Sequence, residues 1–289
     1  MSDFKITADI NADLPQSYLE KYDIDVAYLS IIMDGVTYGK GNLPDTKVFY
    51  DAMRAGKMPT TSQVNPDMAK EMLEEVLTKT NKILHIAFSS GLSGTYNSMR
   101  IAAEELMSER EGIQIIVVDS LCASLGHGLL IHNAVLQRDA GKSFEETAKW
   151  VEDHKLNILH AFTVDDLNHL YRGGRVSKLS AVFGSIVNIK PVLKVNNEGK
   201  LVPFGKVRGR KKSLNELVQY MEDHMGDNQD MNSTIFISHG DAIEDAQYVA
   251  NKITEKFGTK EFIINAIGPN IGAHSGPGTI ALFFYGDER

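Results

Sequence analysis

Cysteine is nearly absent from this sequence, because Cys122 is the only cysteine among 289 residues. One cysteine cannot form a disulfide within the chain, and it cannot build a zinc site that needs several cysteine ligands. Cys122 closely follows an apolar, strand-like segment, and we interpret it as a small buried apolar side chain. The sequence therefore excludes a disulfide-stabilised fold.

Long apolar runs are also absent. No apolar segment approaches the ~18 residues that a helix needs to cross a bilayer. The first six residues contain no apolar stretch of the kind that signal peptides carry. We therefore expect a cytoplasmic protein that handles any lipid ligand in solution.

Positively charged residues are fewer than negatively charged ones. The chain has 30 Lys and Arg residues and 38 Asp and Glu residues, which give a formal net charge of −8. Nucleic-acid binding depends on neutralising phosphates with Lys and Arg, so we expect no nucleic-acid partner. Hydrophobic residues make up 43% of the chain and charged residues 24%, as in ordinary globular proteins. At roughly 150 residues per domain, this length corresponds to two domains.

The first half of the chain alternates apolar segments of strand length with segments of helical periodicity. This pattern predicts a mainly parallel sheet between helices, hence an α/β domain. Ligand sites in such sheets form at the carboxyl ends of strands, here in the loops after Asp9, Phe88 and Val118. The predicted strands are 5–9, 24–32, 36–38, 82–88 and 113–118, and the predicted helices are 45–55, 66–79, 96–107, 125–139 and 144–154.

The second half mixes hairpin turns with helices, which is typical of an α+β domain with a largely antiparallel sheet. The clearest turn is Asn196-Asn-Glu-Gly199, between two predicted strands. We place the domain boundary near residue 155, so that residues 1–155 form the first domain and residues 156–289 the second. The predicted strands are 158–163, 189–195, 200–207, 233–238, 261–266 and 279–285, and the predicted helices are 166–170, 176–188, 213–225 and 242–257.

The segment Ser89-Ser-Gly-Leu-Ser-Gly-Thr-Tyr96 follows a predicted buried strand and precedes a predicted helix. Glycines let a backbone approach a ligand closely, and free N–H groups at a helix start attract anions. Ser93 and Thr95 can therefore help to bind a carboxylate or phosphate, or they can simply cap the helix. The segment lacks the Gly-x-Ser-x-Gly pattern of hydrolases and the Gly-Lys-Ser/Thr ending of a P-loop.

Two further segments carry hydroxyl or imidazole groups. Pro59-Thr-Thr-Ser-Gln63 precedes a predicted helix, a position typical of a capping turn. Ile271-Gly-Ala-His-Ser-Gly-Pro-Gly278 is predicted to be a glycine-rich loop, in which His274 either donates a hydrogen bond to an anion or lies on the surface. No second metal-ligating residue accompanies His274, so we predict no metal there.

The remaining titratable residues indicate simpler roles. Asp9 and Asp13 could pair as a general acid and base, but aspartates in a turn after a strand more often cap backbone N–H groups. His127 and His132 are five positions apart, which places them on different faces of a helix and disfavours a metal pair.

Arg208-Gly-Arg-Lys-Lys212 is the one strongly basic run. A solvated positive face is the ordinary explanation of such a run, and docking onto an acidic or phosphorylated partner is the alternative. Leu170-Tyr-Arg-Gly-Gly-Arg-Val176 places two further arginines around a tight turn.

These motifs occur together in an order that resembles the DegV family, which includes the fatty-acid-binding subunits of bacterial fatty acid kinase. The resemblance runs from about residue 4 to residue 285. It rests on five segments: Thr-Ser-Gln at 61–63, Ser-Gly-Leu-Ser-Gly-Thr-Tyr at 90–96, Arg-Gly-Gly-Arg at 172–175, the basic run at 208–212 and Gly-Ala-His-Ser-Gly-Pro-Gly at 272–278.

The resemblance implies a lipid carrier rather than an enzyme, with a tunnel between two domains that holds a long-chain fatty acid such as palmitate, stearate or oleate. By motif match, Thr61, Ser93 and His274 would bind the carboxylate. A separate ATP-binding kinase subunit would phosphorylate that carboxylate, and the acyl phosphate would enter phospholipid synthesis. We expect Arg208 and Arg210 to dock this subunit or to touch a membrane transiently, and we expect no cofactor.

The residues are compatible with this implication, because neutral hydroxyls and helix N–H groups can hold a carboxylate in a dry site without a buried Arg or Lys. No ATP-binding motif is visible, so we do not expect the chain to transfer a phosphoryl group alone. The competing hypothesis is an enzyme, a phosphotransferase or hydrolase that acts on a small carbonyl or sugar-like ligand. His274 would then be its nucleophile or base.

Overall fold

The computed structural model describes residues 3–177, 188–287 and 289. Strands and helices alternate through the first half, as the apolar periodicity predicts. These elements are β1 (Lys5–Asp9), α1 (Gln16–Lys21), β2 (Asp25–Ala27), β3 (Ser30–Met33), β4 (Val36–Tyr38), α2 (Thr46–Arg54), β5 (Thr60–Ser62), α3 (Pro66–Leu77), β6 (Lys82–Ala87), α4 (Thr95–Glu109), β7 (Gln114–Asp119), α5 (Leu125–Asp139) and α6 (Phe144–His154).

The second half contributes six strands and four helices among the described residues. Residues 178–187 of the helix predicted over 176–188 lie outside the described residues. The elements are β8 (Ile158–Thr163), α7 (Asn168–Arg172), β9 (Ile189–Val195), β10 (Leu201–Arg208), α8 (Arg210–His224), β11 (Thr234–His239), α9 (Ile243–Phe257), β12 (Glu261–Ala266), α10 (Pro269–Ser275) and β13 (Ile280–Tyr285).

Three sheets organise these strands. The first has the order β2-β1-β6-β7 and is parallel throughout. The second has the order β10-β9-β8-β13-β11-β12 and is antiparallel except for the pair β11–β12. A small antiparallel sheet, β4-β3-β5, lies beside them. The predicted fold class, a parallel α/β half followed by a largely antiparallel α+β half, is confirmed.

Helix α5 joins the two large sheets. It contacts β1 and β6 of the parallel sheet and β8, β11 and β13 of the antiparallel sheet. Its side chains are buried without interruption from Leu125 to Ile131, as expected of a helix packed on all sides. One continuous apolar cluster therefore includes Ile6, Leu130 and Phe283. The domain boundary near residue 155 stays a prediction.

The apolar segment 24–32 does not form the single strand that its composition predicts. Residues Asp25–Ala27 pair with β1, whereas Ser30–Met33 pair with β4 and β5 in the small sheet. Strand β1 ends at Asp9, which pairs with Ala27, so the parallel pairing of this segment ends at Ala27. The residues from Ser30 onward pair in the small sheet instead.

Two site segments also differ from the predictions. Thr60–Ser62 is a strand paired with β3 rather than a capping turn, and Asn65 instead caps α3 by accepting a hydrogen bond from the Met68 N–H. The glycine-rich segment after Gly268 is the helix α10 rather than a loop. Gly272 serves close packing, because a Cβ there would lie 2.6 Å from the Tyr50 hydroxyl oxygen. Helix α1 was not predicted.

Candidate functional site

A cavity of about 460 Å³ is lined by side chains from both halves of the sequence. Much of its wall is apolar. Thr61, Ser93 and His274, the three predicted carboxylate ligands, lie in the same wall. The structure therefore brings the three residues to one cavity. The apolar lining includes Leu29, Phe88, Leu92, Phe162, Ile267 and Phe283.

Thr61 and His274 form a direct hydrogen-bonded pair, with 2.7 Å between Thr61 Oγ1 and His274 Nε2. Thr61 is positioned by β5, where it pairs with Ile31 of β3, and His274 is carried by α10. Burial and the nearby positive charge of Arg175 lower the pKa of His274 to about 4. The imidazole is therefore neutral near pH 7 and offers one N–H donor and one bare nitrogen.

The other ring nitrogen of His274 faces Gly173. A Cβ added at Gly173 would collide with His274 Nδ1. The backbone at Gly173 has φ −72°, which any residue can adopt, so glycine is needed here for space and not for conformation. The imidazole is thus held between Thr61 on one side and the Arg-Gly-Gly-Arg turn on the other.

Ser93 is connected through Thr95 to Val64, the residue that follows the Thr-Ser-Gln motif. Thr95 Oγ1 accepts a hydrogen bond from the Val64 N–H at 3.3 Å and lies 3.0 Å from Ser93 Oγ. The Thr95 N–H also donates to Ser93 Oγ, at 3.3 Å. Gly94 makes this approach possible, because a Cβ there would overlap the Gln63 side chain. The Ser93–Thr95 pair is thus hydrogen-bonded to the backbone directly after the Thr-Ser-Gln motif.

Arg175 also lines the cavity, although the sequence assigned it no role and the predicted site did not require an Arg or Lys. Its guanidinium donates to the Leu92 carbonyl from Nε at 3.2 Å and from Nη2 at 3.0 Å, and also to the Gly173 carbonyl. Burial lowers the pKa of Arg175. Arg175 therefore fixes the backbone next to Ser93 and adds positive charge beside His274. The sequence feature that could have indicated a site role for Arg175 is the Arg-Gly-Gly-Arg motif at 172–175.

A second pocket, of about 360 Å³, shares Thr61, Arg175 and His274 with the apolar cavity. Its other walls include Met58, Thr60, His169 and Arg172, and we call it the outer pocket. Arg172 Nη2 lies 2.9 Å from His169 Nδ1. The Thr61–His274 pair is thus common to the apolar cavity and to a second pocket that carries two arginine side chains.

The two early aspartates are buried hydrogen-bond acceptors. Asp9 accepts from the Phe88 N–H at 2.7 Å and from the Asn11 N–H at 3.2 Å, which is the capping role of the simpler interpretation. Asp13 accepts from the Ser124 hydroxyl and the Gly268 N–H. Burial raises the pKa of Asp9, and it raises the pKa of Asp13 to about 7.

The histidines that could have formed a metal pair have separate partners. His127 Nε2 lies 2.7 Å from the Ile86 carbonyl oxygen, and His132 Nδ1 lies 2.7 Å from the Tyr18 hydroxyl. Across residues 3–177, 188–287 and 289, no group of three His, Cys, Asp or Glu side chains is placed to hold a metal ion. Cys122 is buried, as predicted.

The basic run divides into two parts. Arg210 begins α8 and is tied into the protein, with Nε 2.8 Å from Asp245 Oδ2 and Nη2 2.6 Å from the Gly278 carbonyl oxygen. Arg208, Lys211 and Lys212 are exposed. Only the exposed group is free of such a structural role, so any docking function falls first to these three residues.

The described helices are all too short or too polar to cross a bilayer. Comparisons with known proteins address the family directly. A family model described as "Uncharacterised protein, DegV family" matches residues 3–287. A DegV domain-containing protein of Clostridium perfringens (strain 13 / Type A) is 45% identical over 294 residues, which cover 100% of this chain and 99% of that protein.

Solved structures of DegV family proteins also match this chain over nearly its whole length. DegV of Bacillus subtilis, described as a fatty acid binding protein, is 28% identical with a TM-score of 0.84, covering 99% of this chain and 100% of that one. A DegV family protein from Thermus thermophilus, described by its fatty acid binding, is also 28% identical, with a TM-score of 0.85 and coverage of 99% and 100%. Sequence and structure thus match over essentially the whole length, and the chain belongs to the DegV family.

Proposed function

We propose that this protein is a carrier that binds one long-chain fatty acid, such as palmitate, stearate or oleate, and is not itself an enzyme. The observation that carries the proposal is an apolar cavity with the Thr61–His274 pair in its wall. Family members from Bacillus subtilis and Thermus thermophilus are described as binding fatty acids, which supports the same ligand class here.

The cavity suits an acyl chain. Its volume of about 460 Å³ falls within the roughly 300–1,000 Å³ typical of small-molecule sites. Each methylene moved from water into such a cavity contributes about 0.8 kcal/mol, so a long acyl chain supplies most of the binding free energy. The polar residues then orient the acid and add a smaller share of the affinity.

The hydrogen bonds of the site favour an anionic ligand. If His274 Nε2–H donates to Thr61 Oγ1, the Thr61 proton is free for a ligand oxygen. If the Thr95 hydroxyl donates to Ser93 Oγ, the Ser93 proton is free in the same way. Two hydroxyl donors and the nearby positive charge of Arg175 would then stabilise a carboxylate, which only accepts hydrogen bonds.

The outer pocket supports a second part of the proposal, presentation of the carboxylate to a separate ATP-binding kinase subunit. A carboxylate held by Thr61, whose hydroxyl His274 orients, would be adjacent to this pocket and its arginines. In that reaction, a carboxylate oxygen attacks the γ-phosphorus of ATP, ADP leaves, and an acyl phosphate forms for phospholipid synthesis. Arg172 and Arg175 would favour the negative charge that accumulates there.

Arg208, Lys211 and Lys212 form an exposed positive group that could meet acidic side chains of the kinase subunit or anionic lipid headgroups. Arg210, proposed with Arg208 from the sequence, would act indirectly by holding the start of α8. We also propose a transient contact with a membrane surface and a cytoplasmic location.

Mass spectrometry of an organic extract of the denatured, purified protein tests the proposed function. We expect a long-chain fatty acid in nearly stoichiometric amount. The variant that carries Thr61→Ala, Ser93→Ala and His274→Ala is the matched control, and it should retain much less. Extracts repeatedly free of fatty acid, with turnover of a small carbonyl or sugar-like substrate that depends on His274, would establish the enzyme hypothesis instead.

A further inference from the structure

The segment that leads into α10 is held by residues from the opposite end of the chain. The Gly268 N–H donates to Asp13 Oδ1 at 2.9 Å, and Asn265 Nδ2 donates to the Asp13 carbonyl oxygen at 2.7 Å. The Tyr50 hydroxyl donates to the Ile267 carbonyl at 3.0 Å. Gly268 is the N-cap residue immediately before α10, so Asp13 binds the start of the helix that carries His274.

The second carboxylate oxygen of Asp13 is held just as closely. Ser124 Oγ donates to Asp13 Oδ2 at 2.5 Å and lies 2.8 Å from Ser238 Oγ. Ser124 has φ 52° and ψ −142°, a backbone conformation that costs a non-glycine residue free energy. Asp13 itself has φ 50°. Such strain persists where the surrounding contacts hold it in place, and here those contacts converge on one buried carboxylate.

We propose that the Asp13 carboxylate is the positioning group for His274, because it fixes the start of α10 and thereby sets the Thr61–His274 contact in the carboxylate site. This inference rests on the proposed function for its ligand. Asp13 would act through α10 and would not touch the fatty acid.

Three titratable groups adjoin Asp13 or its neighbour. Burial is the main cause of the raised pKa of Asp13, the negative charge of Asp9 at the end of β1 raises it further, and His127 of α5 interacts electrostatically with Asp9. Tyr50 of α2 is neutral, since burial holds its pKa well above 10. The pKa of Asp13 is about 7 and that of His274 about 4. Near neutral pH, protonation of Asp13 weakens the charge-assisted hydrogen bond from the Gly268 N–H while His274 stays neutral.

A double-mutant cycle tests the coupling, with radiolabelled palmitate as the probe. Asp13→Asn keeps the shape of the side chain and removes its charge. We expect it to raise the palmitate Kd by roughly tenfold in the wild-type background and less than about twofold in the His274→Ala background. An equal effect in both backgrounds, or no effect in either, overturns the proposal. Tyr18→Phe, which removes a buried hydrogen bond to His132 away from the cavity, is the control for general destabilisation.

The ligand-free protein provides an independent test. In histidine-labelled protein, the ring signals of His274, assigned by their loss in His274→Gln, should shift with a midpoint near pH 7. Asp13→Asn should abolish this pH-dependent shift. Asp9→Asn should preserve the shift but move its midpoint to lower pH, because it removes the negative charge that raises the pKa of Asp13. If the His274 signals have the same pH dependence in Asp13→Asn as in the wild type, the positioning role is refuted. Failure of the wild type to bind palmitate refutes the proposed function, and the NMR result still decides the role of Asp13.

Discussion

His274 Nε2 lies 2.7 Å from Thr61 Oγ1, although the two residues are 213 positions apart in the sequence. One partner lies on a short strand of the small sheet and the other on a seven-residue helix. Because this contact belongs to both the apolar cavity and the outer pocket, it is the point at which a buried acid could meet an outside reactant.

The first prediction concerns the two hydroxyl ligands. Replacing Thr61 and Ser93 with Ala removes two hydrogen bonds to a charged group, each worth roughly 1.5–3 kcal/mol. The double variant should therefore bind palmitate at least about tenfold more weakly in an equilibrium assay. Ser62→Ala, an exposed neighbour outside the cavity, should bind normally. Unchanged affinity in the folded double variant would rule out this carboxylate site.

The second prediction concerns the space beside His274. Gly173→Ala places a methyl group against His274 Nδ1 without straining the backbone. The imidazole must rotate or shift from its position, which disturbs its contact with Thr61, so we expect palmitate affinity to fall by about tenfold while thermal unfolding changes little. Gly205→Ala is the control, since a Cβ there meets nothing within 4 Å. Normal binding by Gly173→Ala would show that the His274 orientation is unimportant.

The third prediction concerns acid sensitivity. His85 is fully buried beside Thr7, and burial together with His127 lowers its pKa to about 3. Below about pH 6.5 the His85 imidazole takes up a proton in the unfolded chain but not in the folded chain. The free energy of unfolding therefore falls by about 1.4 kcal/mol for each pH unit of acidification through this group.

In denaturant unfolding between about pH 6.5 and 4, His85→Gln should lack that share of the pH dependence. Its stability should be lower than that of the wild type at neutral pH, and the difference should shrink as the pH falls. Parallel curves for the two proteins would mean that His85 is not held neutral by the fold.

The fourth prediction concerns the exposed basic residues. Arg208→Glu with Lys211→Glu should leave palmitate binding intact and slow acyl-phosphate formation with the kinase subunit by about tenfold at low salt. The defect should diminish at high salt, where surface charges are screened. Lys142→Glu with Lys149→Glu makes the same change in net charge elsewhere and should have little effect. Equal rates of acyl-phosphate formation in both double variants would show that the basic run is only a solvated positive face.

The sequence by itself determined the long elements of the fold. Strands β8 and β9 and helices α5 and α6 begin and end at the predicted residues. Their signals are local, since apolar runs of strand length and helical spacing end at recognisable turn or capping residues such as Ser143. The parallel and antiparallel sheets follow from the order of these elements.

Composition and spacing left the roles of the site residues open, and the resemblance to a family selected among the alternatives. Ser93 was either an anion ligand or a cap, Thr61 was typical of a capping turn, and His274 was a loop histidine that either donates to an anion or lies on the surface. Arg175 received no role, because nothing local shows that its guanidinium reaches the Leu92 carbonyl.

Only the tertiary structure decided how the short site segments fold. Thr60–Ser62 is too short to be a strand without β3 beside it, and the glycines of α10 indicate a loop until Tyr50 is seen to pack against Gly272. The break after Ala27 likewise depends on where β1 ends. Each of these outcomes depends on a partner far away in the chain, and hydrogen bonds or close contacts of that kind leave no periodic pattern in the sequence around either residue.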